Sequence, residues 1–185
     1  MTLQRPQLLI VPGLRDHVAE HWQTHLAAAW PGAATVEPLT EDKLSCAARV
    51  KALDDALARI EGPVVLAAHS AGVMIVAHWA RTHHRPIHAA LLATPADLEA
   101  GLPAGYPTRE QLADNGWLPI PRAPLPFRSL VAASTNDPLA AFERVVGMAR
   151  DWGGRLVNLG EVGHLNPASG YGPWPMALDL LDEFL

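Results

Sequence analysis

Short, wholly apolar runs alternate along the chain with longer segments in which apolar residues recur every three or four positions. Leu8 to Val11, Val64 to Ala68, Ile87 to Ala93, Ser129 to Ala133 and Arg155 to Leu159 read as strands, and Ala33 to Glu37 as a weaker one. Runs without polar alternation belong to strands buried on both faces. Between them, His17 to Trp30 carries Val18, Trp22, Leu26 and Ala29 or Trp30 at helical spacing and stops at Pro31-Gly32. Ser45 to Ile60 does the same with Ala48, Ala52, Leu53, Ala56, Leu57 and Ile60, and stops at Gly62-Pro63. Further helices are predicted after Ser70, over Ala140 to Trp152, and over Met176 to Phe184. Strands that alternate with helices predict an α/β fold, with about six parallel strands in the order 2-1-3-4-5-6 and helices on both faces.

Pro95 to Pro126 breaks this rhythm. Prolines and glycines recur there at Pro103, Gly105, Pro107, Gly116, Pro119, Pro121 and Pro124, which excludes long secondary structure. The interleaved Tyr106, Trp117, Leu118, Ile120 and Leu125 predict a segment that packs, a short irregular lid. No repeat, low-complexity tract or linker divides the sequence, so residues 1–185 read as one domain with 95–126 as its lid.

Composition narrows the classes. A formal charge of −5 gives no basic footprint for nucleic acid, and no apolar segment approaches the length of a membrane span. The single cysteine, Cys46, cannot form an internal disulfide, and Met1 to Pro6 lacks the apolar core of a signal peptide. A cytoplasmic location and a small-molecule substrate are the expectations.

The stretch from Val64 to Val76 reads as strand, sharp turn and helix, with Ser70 at the turn in the pattern small-x-Ser-x-Gly. Ala68 stands where the nucleophile elbow of α/β-hydrolases usually has its first glycine. Such a turn exposes the serine oxygen and aims the N–H of Ala71 at the same space, and a second N–H is expected from Leu14 after the first strand. The competing reading makes Ser70 a simple helix N-cap.

A serine hydroxyl needs a base, and the base an orienting acid. His164 follows the last predicted strand and Asp137 the fifth, so serine, acid and histidine stand in chain order at three strand ends. Taken singly, Asp137 could be a turn or cap residue before Pro138 and His164 an ordinary loop histidine. Asp97, Asp114, Asp151 and Asp179 fit the acid position worse, because they lie in the lid or in helices. His69, on the opposite face from the serine, reads as a packing residue. His21 and His25 are at metal-ligand spacing without an intervening glutamate, and His83, His84 and His88 lack a cysteine or carboxylate beside them. Neither a metal nor a cofactor is expected, and no Gly-rich phosphate loop is present.

The chain also resembles the small α/β-hydrolases of the retinoblastoma-binding protein 9 and YdeN type, the DUF1234 serine hydrolases. The resemblance is carried by Val11-Pro12-Gly13, Glu20-His21-Trp22-Gln23, His69-Ser70-Ala71-Gly72, Leu125-Pro126-Phe127 with Asn136-Asp137-Pro138, and the long block from Gly163-His164-Leu165-Asn166 to Gly172-Pro173-Trp174. It implies Ser70, Asp137 and His164 as the triad and cofactor-free hydrolysis of esters or amides, and the leading reading is a serine hydrolase of a small carboxylic ester, thioester or amide. The Leu-x-Cys-x-Glu motif behind the family's retinoblastoma binding is not matched, since Leu44-Ser45-Cys46-Ala47-Ala48 has no glutamate. The alternative to a hydrolase is a protein-interaction module on the same scaffold. For substrate contacts, the thin lid predicts a shallow pocket with Trp117, Leu118, Ile120 and Trp174 as its apolar wall, unless these residues are core.

Overall fold

The computed structural model describes residues 5–185. Its elements run β1 (Gln7–Val11), α1 (Trp22–Ala29), β2 (Ala34–Thr35), α2 (Cys46–Ala58), β3 (Val64–His69), α3 (Ala71–Ala80) and β4 (Ala89–Ala93). They continue with α4 (Arg109–Asp114), β5 (Arg128–Ala133), α5 (Phe142–Trp152), β6 (Arg155–Asn158) and α6 (Met176–Asp182). The strands form one sheet in the order β2-β1-β3-β4-β5-β6, and every neighbouring pair is parallel.

The unbroken apolar runs have a direct cause. Alternate side chains of each central strand enter two different cores. Val64, Leu66 and Ala68 of β3 share one core with Leu53 and Leu57 of α2, with α3, and with Val145 and Met148 of α5. Val65 and Ala67 pack on the other face with Trp22 and Leu26 of α1 and with Leu180 and Leu181 of α6. Both faces of the strand are therefore dry, and truncating a residue such as Leu66, which has no exposed surface, is expected to cost about 2–5 kcal/mol.

Two departures from the sequence reading bear on the site. The first helix starts at Trp22 instead of His17: His21 is its N-cap, its Nδ1 accepting from the Gln23 N–H at 3.2 Å. The Val18 spacing is real, yet residues 13–20 are held outside the helix by tertiary contacts described below. The second departure lies in 95–126, which contains a short helix, α4, begun by a capping box between Thr108 and Gln111. Arg144 ties the start of this segment down through Asp97 at 2.6 Å, and the Trp152 indole donates to the Pro121 carbonyl at 2.8 Å near its end.

Candidate active site

The turn between β3 and α3 places Ser70 at φ 58°, ψ −126°, a conformation that L-residues avoid. Its backbone is anchored where the N–H of Ser70 donates to the Ala93 carbonyl at 3.1 Å. Gly72 makes the turn sterically possible, because a Cβ there would lie 2.3 Å from the Val11 carbonyl oxygen and 2.7 Å from that of Pro12. Although Ser70 occupies the N-cap position of α3, its side chain makes no capping bond. The hydroxyl turns to His164 instead.

Three side chains from three strand ends meet there. Ser70 Oγ donates to His164 Nε2 at 2.9 Å, and His164 Nδ1 donates to both oxygens of Asp137, each at 2.9 Å. The bidentate contact fixes the tautomer: with the proton on Nδ1, Nε2 is free to accept from the serine. The His164 and Asp137 side chains are only 5% and 2% exposed, so water does not compete for this pair. The loops that carry them are stitched together. Asn136 Oδ1 accepts from the Gly163 N–H at 2.7 Å and from Ser134 Oγ at 3.0 Å, while Ser169 Oγ accepts from the His164 N–H at 3.0 Å and itself donates to Asn166 at 2.9 Å. The His164 carbonyl, in turn, accepts from His69 Nε2 at 2.8 Å.

The loop after β1 forms the facing wall. A Cβ on Gly13 would sit 3.3 Å from Ser70 Cβ, so the peptide leading to Leu14 passes directly beside the serine. This loop is held by Arg49, a buried residue of α2. Its guanidinium pairs with the Asp16 carboxylate and donates to the Leu14 carbonyl at 3.2 Å and to the Lys43 carbonyl at 2.9 Å. One planar fork thus joins two loops. Asp16 is at φ 57°, another backbone strain held by the same contact. These ties are what keep residues 13–20 from extending α1.

Between the walls lies a cleft of about 630 Å³ that reaches Ser70 and His164. That is ample room for a small organic molecule. The segment 95–126 lines the cleft with Leu98, Leu102 and Tyr106. The anticipated pocket residues lie elsewhere. Trp117 is fully buried behind the wall, where its indole donates to the Leu44 carbonyl at 2.6 Å, and Ile120 is in the same core. Leu118 borders a separate surface depression, and Trp174 packs edge-on against Trp22 with ring centres 5.0 Å apart. All four are kept from the cleft by packing that the sequence pattern does not encode.

Three histidine rings line up behind the serine, with centres 4.5 Å apart for His21 and His69 and 4.8 Å for His69 and His164. Burial, reinforced by the neighbouring His164, lowers the His21 pKa to about 4 and that of His69 well below the usual range. Both are neutral at pH 7. His83 stacks on Trp79, His88 Nε2 donates to the Phe184 carbonyl at 2.7 Å, and His25 Nε2 is buried without a partner. Among the described residues no three His, Cys, Asp or Glu side chains are grouped to hold a metal ion, and no helix is long and apolar enough to cross a membrane.

Sequence reasoning missed Arg49, which looks like an ordinary surface charge on α2. Asn136, Asn166 and Ser169 were visible only as parts of the family blocks.

Comparison with known proteins supplies the family and the fold. The sequence model of the serine hydrolase family matches residues 8–183. A YdeN-like hydrolase from Pectobacterium atrosepticum is 31% identical over 97% of this chain and 90% of its own, with a TM-score of 0.81. The ydeN gene product of B. subtilis is 16% identical over 97% and 98%, with a TM-score of 0.74. Est1E from Butyrivibrio proteoclasticus, solved with ferulic acid bound, is 14% identical over 97% and 86%, with a TM-score of 0.69. The last two show a shared fold, that of the α/β-hydrolases. No curated protein sequence matches the chain. The family match over nearly the whole length and the relative at 31% identity establish that the chain belongs to the YdeN-like serine hydrolases.

Proposed function

We propose that the protein cleaves a small carboxylic ester, thioester or amide through an acyl-enzyme formed on Ser70. The observation that carries this reading is the unbroken series of 2.9 Å contacts from Ser70 through His164 to Asp137. Ser70 Oγ bonds to the carbonyl carbon while its proton passes to His164 Nε2. Asp137 holds the imidazole and stabilises the imidazolium. The N–H groups of Ala71 and Leu14 receive the oxyanion, the first from the start of α3 and the second from the loop tied by Arg49. The tetrahedral adduct expels the leaving group, which takes the proton from His164. Water then repeats the sequence on the acyl-enzyme and releases the acid.

Cys46 is no rival nucleophile, because burial pushes its thiol up to about 11. We infer a cytoplasmic setting from this single free thiol.

The test is covalent labelling with a fluorophosphonate probe, read by peptide mapping, together with release of p-nitrophenol from p-nitrophenyl acetate. Modification of Ser70 and turnover are expected. Folded protein that takes no label and turns over no ester would overturn the reading.

A further inference from the structure

We propose that the ester hydrolysed at Ser70 carries a carboxylate, which Arg15 and Lys43 hold at the mouth of the cleft; this rests on the serine-hydrolase reading above. The argument begins with Arg49. By donating to both the Leu14 and Lys43 carbonyls, it brings the backbone preceding Arg15 and the backbone of Lys43 to one guanidinium. Arg15, Asp16 and Lys43 all line the cleft, and Arg15 and Lys43 are exposed. Asp16 is the acidic member, and its carboxylate is taken by Arg49. Asp137 spends its charge on His164 and does not face the cleft. Among the described residues, Arg15 and Lys43 form no ion pair. Two cations free of ion pairs therefore border the cleft that holds the serine, in a chain whose formal charge is −5.

Arg15 is also oriented. Its guanidinium carbon lies 5.7 Å from the centre of the Tyr106 ring, which also lines the cleft. A guanidinium associated with an aromatic ring keeps N–H groups free for a carboxylate. Tyr106 belongs to the apolar wall with Leu98 and Leu102, so an apolar stretch borders the cation. The substrate that fits has an ester carbonyl at Ser70, a short apolar body along that wall, and an anionic end. A carboxylate suits the fork of Arg15, and cations at an entrance also raise the encounter rate of anions.

The experiment compares kcat/KM for the mono-p-nitrophenyl esters of glutaric and adipic acid with those for p-nitrophenyl pentanoate and hexanoate, corrected for spontaneous hydrolysis. At low ionic strength the anionic ester of each pair is expected to lead by about five- to tenfold, and the lead to shrink in 1 M NaCl. In the double variant Arg15→Gln/Lys43→Gln the ratio should fall to about one. Equal kcat/KM within both pairs, with clear turnover of all four esters, overturns this inference alone. A preference that survives in the double variant overturns its assignment to Arg15 and Lys43. Turnover of none of the esters by folded protein removes the hydrolase reading and this inference with it.

Discussion

Arg49 donates to the carbonyl of Leu14 at 3.2 Å from a helix 35 residues further along the chain. Arg49→Ala would leave the Asp16 carboxylate and two carbonyls without their partner, at an expected cost of about 3 kcal/mol. Because the Leu14 peptide is then free to drift, kcat on p-nitrophenyl acetate should fall about tenfold or more while KM stays within about twofold. Arg49→Lys should recover part of the melting temperature but little of kcat, since an ammonium cannot span both loops. Parallel loss and recovery of the two quantities would reduce Arg49 to a stabilising residue.

Gly72→Ala should be among the most damaging single-methyl changes in the protein. The new Cβ would meet backbone oxygens of Val11 and Pro12 at 2.3 and 2.7 Å, and backbone cannot step aside as a side chain can. A loss of about 3 kcal/mol or more is expected in urea denaturation, by the mechanism of overpacking.

Ser70→Ala and His164→Ala should each remove nearly all turnover with the fold intact. Asp137→Asn is expected to lower kcat by about 10⁴, as loss of the orienting acid does in the serine-protease triad. Circular dichroism beside the rate assay separates chemistry from unfolding, particularly for Asp137, which also accepts from the Leu139 N–H at 2.8 Å.

Stability should decline on the acid side of neutrality. His21 titrates at about 4 in the folded protein against 6.5 when free, so below pH 6.5 the unfolded chain binds more protons and folding weakens as pH falls. His69 adds to the same trend over a wider range, because its pKa is lowered further by complete burial. Asp97 acts only at lower pH: burial alone would raise its pKa, but bonds from Arg144 hold it below 3.8. Melting at intervals between pH 7.5 and 4.5 should show a loss on the order of 2 kcal/mol from His21, and His21→Asn, which can still cap α1, should flatten the slope.

The sheet was legible because strands dry on both faces cannot hide among polar residues, and parallel order follows from their alternation with helices. Ser70, Asp137 and His164 were legible for a related reason: each follows the carboxyl end of a strand, and the topology carries those ends together. What the local pattern could not carry was direction. Val18 has helical spacing from Trp22, yet the Arg49 and Asp16 contact draws its neighbours toward the cleft. Trp117 sits among prolines that leave its indole no local partner, and it finds one 73 positions upstream. Both depend on pairs distant in sequence, about which spacing within a window is silent.

The backbone at Ser70 has a consequence for anyone who would improve this protein. At φ 58°, ψ −126°, the position that holds the hydroxyl is one glycine would occupy with less strain, by about 1 kcal/mol. Ser70→Gly should therefore melt higher than the wild type. A library sorted for heat resistance alone, without turnover as a second criterion, would enrich molecules that have discarded the Ser70 hydroxyl.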